Sequence, residues 1–170
     1  MPRITLKTFT EEEYHAFFRG YVSDPLMDAA PFVYSREQVS RSYIYNHSGV
    51  RENYVHLGVF LDGDPVGNFQ LKRLDAKKKT CEFGIILQND RVKNRGIGTE
   101  AIRQGMILAR DQYGMKTMIG DTMGRNAPMR RVFEKLGFTL FETVPFAFHL
   151  SDGTVDDRLV YRKNMMEGIM

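Results

Sequence analysis

The stretch Thr80-Cys-Glu-Phe-Gly-Ile-Ile-Leu87, followed after Gln88, Asn89 and Asp90 by Arg91-Val-Lys-Asn-Arg-Gly-Ile-Gly-Thr-Glu-Ala101, decides how this chain is read. Its first part reads as a strand, with Glu82, Gly84 and Ile86 on the face opposite Cys81 and Phe83. Its second part enters a helix whose Ala101, Ile102, Met106 and Ala109 point inward and which Gly114 ends. Gly96 and Gly98, just ahead of that helix, let a ligand approach the backbone closely, and the free N–H groups of a helix start attract an anion. Arg91, Lys93 and Arg95 add positive charge at the same rim. A phosphate or pyrophosphate is the ligand these features imply. The run from Gly96 to Ala101 also spells Gly-x-Gly-x-x-Ala, and Asp121 ends the next strand, as in a dinucleotide fold. The spacing argues against that fold, because there the glycines follow the strand directly, whereas here residues 88–95 intervene.

Working outward, residues 4–9 alternate as a strand, and Thr10 with Glu13 forms a capping box for a helix carrying Tyr14, Phe17, Phe18 and Tyr21 on one face. Residues 27–34 are apolar but irregular. Ser35 with Gln38 suggests a second capping box and a helix to about Tyr45. Residues 54–61 and 66–74 read as strands joined by a turn at Asp62, Gly63, Asp64 and Pro65. With Thr80–Leu87, beyond the basic turn Lys77, Lys78 and Lys79, they make an antiparallel meander. A short strand at 116–121 is followed by a helix capped by Asn126, with Pro128 in its first turn, Met129, Val132, Phe133 and Leu136 on one face, and Gly137 as its stop. Residues 139–150 and 158–162 close the chain as strands. The order is strand, two helices, three strands, helix, strand, helix, two strands, an α/β or α+β mixture in one domain spanning 1–170.

Of the 170 residues, 42% are apolar and 26% charged, which excludes disorder, collagen and coiled coil. The one cysteine, Cys81, makes no internal disulfide, and no apolar run approaches the ~18 residues of a membrane span. The amino terminus lacks the apolar core of a signal peptide, so a soluble cytoplasmic protein is expected. Lys and Arg number 24 against 21 Asp and Glu, a +3 balance far from the dense basic stripe of a nucleic-acid binder. Neither nucleic acid nor membrane is an expected partner. His56 and His149 lack metal-ligand spacing and read as structural, and no metal is expected.

The segment from Arg91 to Ala101, taken with Asn126-Ala-Pro-Met-Arg-Arg-Val-Phe-Glu-Lys-Leu-Gly-Phe138, resembles the GNAT superfamily of acetyl-CoA-dependent N-acyltransferases. Within it, the ribosomal-protein N-terminal acetyltransferase (Rim-type) branch is the nearest likeness. The resemblance covers nearly the whole chain and implies a mixed, mostly antiparallel sheet of about seven strands flanked by about four helices. It implies acetyl-CoA as co-substrate, its pyrophosphate on the backbone of Asn94, Arg95, Gly96, Ile97, Gly98 and Thr99. Lys93 stands where the family prefers Gln or Arg. Ile86 and Leu87 would pair with the pantetheine arm, and Asn126 would contact it.

The resemblance assigns Glu82 as the base that deprotonates the amine, and a carboxylate on an otherwise apolar strand is costly to bury without such a use. Phe133 stands on the cofactor side, where many relatives carry the tyrosine that protonates the departing sulfur; phenylalanine has no proton to give. Phe32, Tyr34 and Arg36 lie in the segment that covers the acceptor site in relatives. The implied reaction is transfer of acetyl to a primary amine, a small molecule or a peptide N-terminus, by direct attack. The alternative, motivated by Phe133, is a CoA-binding protein with little or no transferase activity. The resemblance leaves a homodimer open.

Overall fold

The computed structural model describes residues 2–27 and 30–169; positions 28 and 29 of the irregular 27–34 stretch, and both terminal methionines, fall outside the described residues. The elements follow the expected order: β1 (Ile4–Lys7), α1 (Glu11–Arg19), α2 (Arg36–His47), β2 (Val55–Leu61), β3 (Asp64–Asp75), β4 (Thr80–Leu87), α3 (Ile97–Asp111), β5 (Thr117–Met123), α4 (Ala127–Lys135), β6 (Thr139–His149) and β7 (Val155–Asn164). A short 3-10 turn, Met165–Glu167, follows.

Local chemistry accounts for most boundaries. Glu13 N–H donates to Thr10 Oγ1 at 3.2 Å while Thr10 N–H donates to Glu13 Oε1 at 2.9 Å, the reciprocal cap expected of α1. At α2 only half of that device forms. Ser35 Oγ accepts from Gln38 N–H at 3.4 Å, and among the described residues no bond returns from the Gln38 side chain. The β2–β3 turn narrows to Asp62-Gly63, both at positive φ (51° and 91°), with Leu61 opposite Asp64. Two consecutive left-handed residues match the twist of the flanking strands.

Among the described residues, seven strands form one sheet in the order β1-β2-β3-β4-β5-β7-β6. Every neighbouring pair is antiparallel except β4 and β5, which α3 joins by a crossover. The chain thus has the α+β fold with a mixed, mostly antiparallel sheet and four helices. Alternation along the strands divides the apolar side chains between two cores. Phe69, Leu71, Phe83 and Met118 face α3 and α4, packing with Ile102, Met106 and Phe133. Phe9 and Phe60 lie on the other face, with Tyr14 and Phe17 of α1 and Val39 of α2. Each fully buried side chain of this size contributes roughly 1.5–3 kcal/mol. No helix of the described residues is long and apolar enough to cross a membrane.

Candidate active site

Strand β4 lies beside β5 over Thr80, Cys81 and Glu82, whose partners are Thr117, Met118 and Ile119, and then leaves it. The other edge of β4 stays paired with β3 through Leu87, opposite Gly67, and Gln88 N–H still donates to the Val66 carbonyl at 2.8 Å. In an antiparallel pair, backbone groups alternate between the two edges. Gln88, Ile86, Gly84 and Glu82 therefore spend theirs on β3, while those of Ile85 and Leu87 turn toward the gap that β5 vacates.

A cavity of about 500 Å³ occupies this gap, with Ile85 and Leu87 on one wall and Asn126, Met129 and Val132 of α4 on another. Its floor is the start of α3. Gly96, at φ +77°, and Asn94, at φ +58°, are both left-handed, and Gly96 caps α3 without any side-chain hydrogen bond to the first turn. The amides of Ile97, Gly98 and Thr99 thus meet no side-chain acceptor there, and all three residues line the cavity. Left-handed geometry explains glycine at 96. Packing does not explain it at 98, where a Cβ would meet only Leu87 Cδ1, at an ordinary 3.7 Å. Gly98 leaves room for a ligand against the helix start.

Several assignments from sequence shift. Ile86 packs with the α1–α2 core and does not line the cavity; Ile85 takes that place beside Leu87, because β3 claims the backbone of Ile86. Arg95 is exposed and outside the lining, with Nη1 donating to the Arg91 carbonyl at 3.5 Å. Lys93 lines the cavity, but its Nζ is held by Asp24 at 2.8 Å and Asp90 at 3.4 Å. Burial alone would push this ammonium down, yet the bonds to Asp24 and Asp90 outweigh it and hold its pKa above the ordinary value. Asn126 is buried, lines the cavity and caps α4 by accepting from Met129 N–H at 3.2 Å. Phe133 is only 1% exposed and stacks on Tyr161, ring centroids 4.3 Å apart at 6°. It belongs to the core beneath α4 and is not itself among the residues that line the cavity.

The sequence reading missed the turn Asp24, Leu26, Met27, which lies against the cavity. Lys93 holds it on one side, and on the other Arg125 donates to the Pro25 carbonyl. It missed Arg131 too, a cation of α4 in the lining. Its position two residues after Met129, itself on the inward face, gave no signal. Phe32, Tyr34 and Arg36 are not in the lining of this cavity. Phe32 packs on Phe18 and Tyr21, Tyr34 OH pairs with His15 Nδ1 at 2.8 Å, and Arg36 is exposed. The aromatic composition of that segment completes the α1 core.

Glu82 sits at the vertex of the gap, on the face away from α3 and α4. Arg73 Nη1 donates to its two oxygens at 2.9 and 3.1 Å. Arg73 reaches this face through a bulge between Lys72 and Asp75, where its own φ is +50°. Farther along the same face, His56 is not isolated. Its Nε2 donates to Asn68 Oδ1 at 2.7 Å, since a carboxamide oxygen only accepts, which leaves Nδ1 to accept from His47 Nε2 at 3.1 Å. Burial pushes the His56 pKa down to about 4, so the ring is neutral near pH 7.

The acetyltransferase (GNAT) domain model matches residues 3–139. No curated protein sequence matches the chain. Among solved structures, the chain is similar to the ribosomal α-N-protein acetyltransferase RimL in complex with coenzyme A, with TM-score 0.83 and 16% identity over 95% of this chain and 93% of that one. It is similar to Mycobacterium smegmatis RimJ in complex with a CoA disulfide, with TM-score 0.81 and 16% identity over 96% and 83%. A chimera of the Vibrio cholerae spermidine N-acetyltransferase SpeG with hSSAT gives TM-score 0.84 and 14% identity over 96% of each chain. Likeness at such identities carries the fold alone and leaves the branch unsettled. The match of the domain model over four-fifths of the chain, with the splayed strands and the uncapped start of α3, makes this protein a member of the GNAT family of acetyl-CoA-dependent acetyltransferases.

Proposed function

We propose that this enzyme transfers acetyl from acetyl-CoA to the nitrogen of a primary amine by direct attack, within one GNAT domain. The observation that carries the proposal is that β4 pairs with β5 over three residues and parts from it after Glu82, beside the cavity at the start of α3. The likeness in fold to RimL, an α-N-protein acetyltransferase, and to the spermidine N-acetyltransferase SpeG supports an amine acceptor.

The residues present suit the cofactor. The uncapped amides of α3 and the left-handed Asn94 and Gly96 hold its pyrophosphate, with Arg131 as counter-charge, and the edge amides and carbonyls of Ile85 and Leu87 pair with the pantetheine arm. Acetyl-CoA supplies the acetyl group as a thioester, and its thiol, with a reference pKa of ~8.5, leaves readily near neutral pH. That removes much of the need for a tyrosine at position 133. The Ile85 or Leu87 N–H faces the gap and is the donor for the oxygen that gains charge during attack. Glu82 receives the proton that the ammonium sheds.

Phe133, sealed in an aromatic stack, is what favours the second reading, a CoA-binding protein with little transfer. Measuring acetyl-CoA binding together with thiol release over a panel of amino acids, peptides, polyamines and aminoglycosides decides between the two. Transfer requires both binding and release; binding without release for any amine supports the second reading.

A further inference from the structure

The face on which the acceptor must arrive has a charge pattern of its own. Beside Glu82 lies a cavity of about 320 Å³, lined by the α2–β2 loop (Arg51, Glu52, Asn53, Tyr54) and by Lys72 and Arg73 of β3. Its three cations outnumber its two carboxylates. Arg73 already engages both oxygens of Glu82. Arg51 stacks on Tyr54, 3.5 Å from the ring centroid, and donates to Asn46 Oδ1 at 3.0 Å. Glu52 is exposed.

Lys72 is the residue left over. It is half-buried, and among the described residues its ammonium has no ion pair. Cross-strand register sets it directly opposite Glu82, yet Glu82 turns to Arg73. The Lys72 Nζ instead overhangs Gly84, 3.5 Å from where a Cβ on that glycine would lie, with Gln70 Oε1 3.3 Å from the same point. Gly84 is two residues beyond Glu82, where β4 has left β5. An uncompensated cation and a carboxylate therefore stand side by side at the vertex of the gap, on strands whose paired Cα atoms are about 5.5 Å apart.

Resting on the transferase reading above, we infer that the acceptor is an α-amino acid, whose carboxylate is held by Lys72 while its ammonium displaces Arg73 at Glu82. The two charges of a zwitterion, two bonds from each other, match the two neighbouring groups in sign and scale. Arg73 yields because its side chain is 76% exposed and such pairs are weak. In the step itself the ammonium gives one proton to Glu82, the freed amine nitrogen bonds to the acetyl carbon, the carbon–sulfur bond breaks with its electron pair leaving on the sulfur, and the second N–H proton passes through water to that sulfur, which departs as the thiol. A polyamine fits this face poorly, since beyond the first nitrogen its next cation meets Lys72 and Arg51. A peptide N-terminus has an amide where Lys72 calls for a carboxylate.

The test is CoA release under saturating acetyl-CoA, comparing a panel of free amino acids with the same amino acids as carboxamides, with spermidine and with short peptides. Free amino acids are expected to exceed their amides in kcat/KM by roughly tenfold or more, the scale of a charge-assisted hydrogen bond. Lys72→Gln should raise KM for the free acid by a similar factor, leave the amide's KM unmoved, and be rescued by Lys72→Arg. Preference for amides, spermidine or peptides, or a KM indifferent to Lys72→Gln, overturns the amino-acid assignment while the transferase stands. Acetyl-CoA binding without turnover of any amine overturns the transferase reading and this inference with it.

Discussion

The two sides of the β4–β5 gap are built by different means. The side proposed for the cofactor is made of backbone: two left-handed residues, the uncapped start of α3 and the free edge of β4, all within residues 85–99. The side proposed for the acceptor is made of side chains brought from the α2–β2 loop, β3 and β4, up to about thirty residues apart, through strand register and one bulge. A cofactor with an invariant pyrophosphate can be held by groups that every residue carries. An acceptor has to be told from its competitors, and that calls for particular side chains whose placement depends on the whole sheet.

The comparison breaks most severely at Gly96. In Gly96→Val a β-branched residue must adopt φ +77°, at a cost of roughly 1–2 kcal/mol, or the loop must move. Calorimetry should show acetyl-CoA affinity falling by roughly 100-fold or more while the melting temperature drops by only a few degrees. Unchanged binding would remove the loop from the cofactor site. Glu82→Gln probes the other side: kcat should fall by about 100-fold or more, with cofactor affinity as in the wild type. A full rate across pH would show that Glu82 takes no proton.

His56 gives a third, intermediate effect, on stability. Its pKa lies near 4 in the fold and near 6.5 in the unfolded chain, so only the unfolded chain takes up a proton between these values. The stabilisation is complete above about pH 6.5 and is lost as pH falls, by roughly 1.4 kcal/mol per unit toward pH 4. Urea melts at pH 7, 5.5 and 4.5 should show this slope, and His56→Gln should flatten it. A wild-type curve level through that window would mean the ring is not held neutral. The smallest effect belongs to Arg73→Ala. It should change stability by about 0.5 kcal/mol or less, leave cofactor binding untouched and lower the acceptor KM a few-fold, as a competitor for Glu82 is removed. A raised KM would instead make Arg73 part of the acceptor's own binding.

The asymmetry between the two sides also explains what could be read in advance. The Thr10 cap, the Asp62-Gly63 turn, the helix opened by Gly96 and the Asn126 cap are all decided by residues within four positions of one another. The order of elements and the glycine-opened start of α3 were accordingly legible. The reading failed where partners are distant. Lys93 was counted as a free cation, yet Asp24, 69 residues away, neutralises it. Ile86 was paired with Leu87 for the pantetheine arm on the strength of the resemblance; only the pairing of β3 with β4 shows which of two adjacent backbones is spent. Phe32 and Tyr34 have the composition of a binding segment, but His15 and Phe18 of α1, with Tyr21 just past its end, are packed against them.

By itself, the sequence determined the periodicities, the caps and turns, and the glycine-opened helix start, because these follow from φ preferences and hydrogen bonds closed within a turn or two of chain. The tertiary structure alone decided that Phe133 is packing against Tyr161, that Asp24 and Arg131 border the cavity at the start of α3, and that Lys72 stands beside Glu82 without an ion pair among the described residues. Those facts depend on sheet order, register and a single bulge, and a one-residue change in register turns every side chain of a strand to the opposite face.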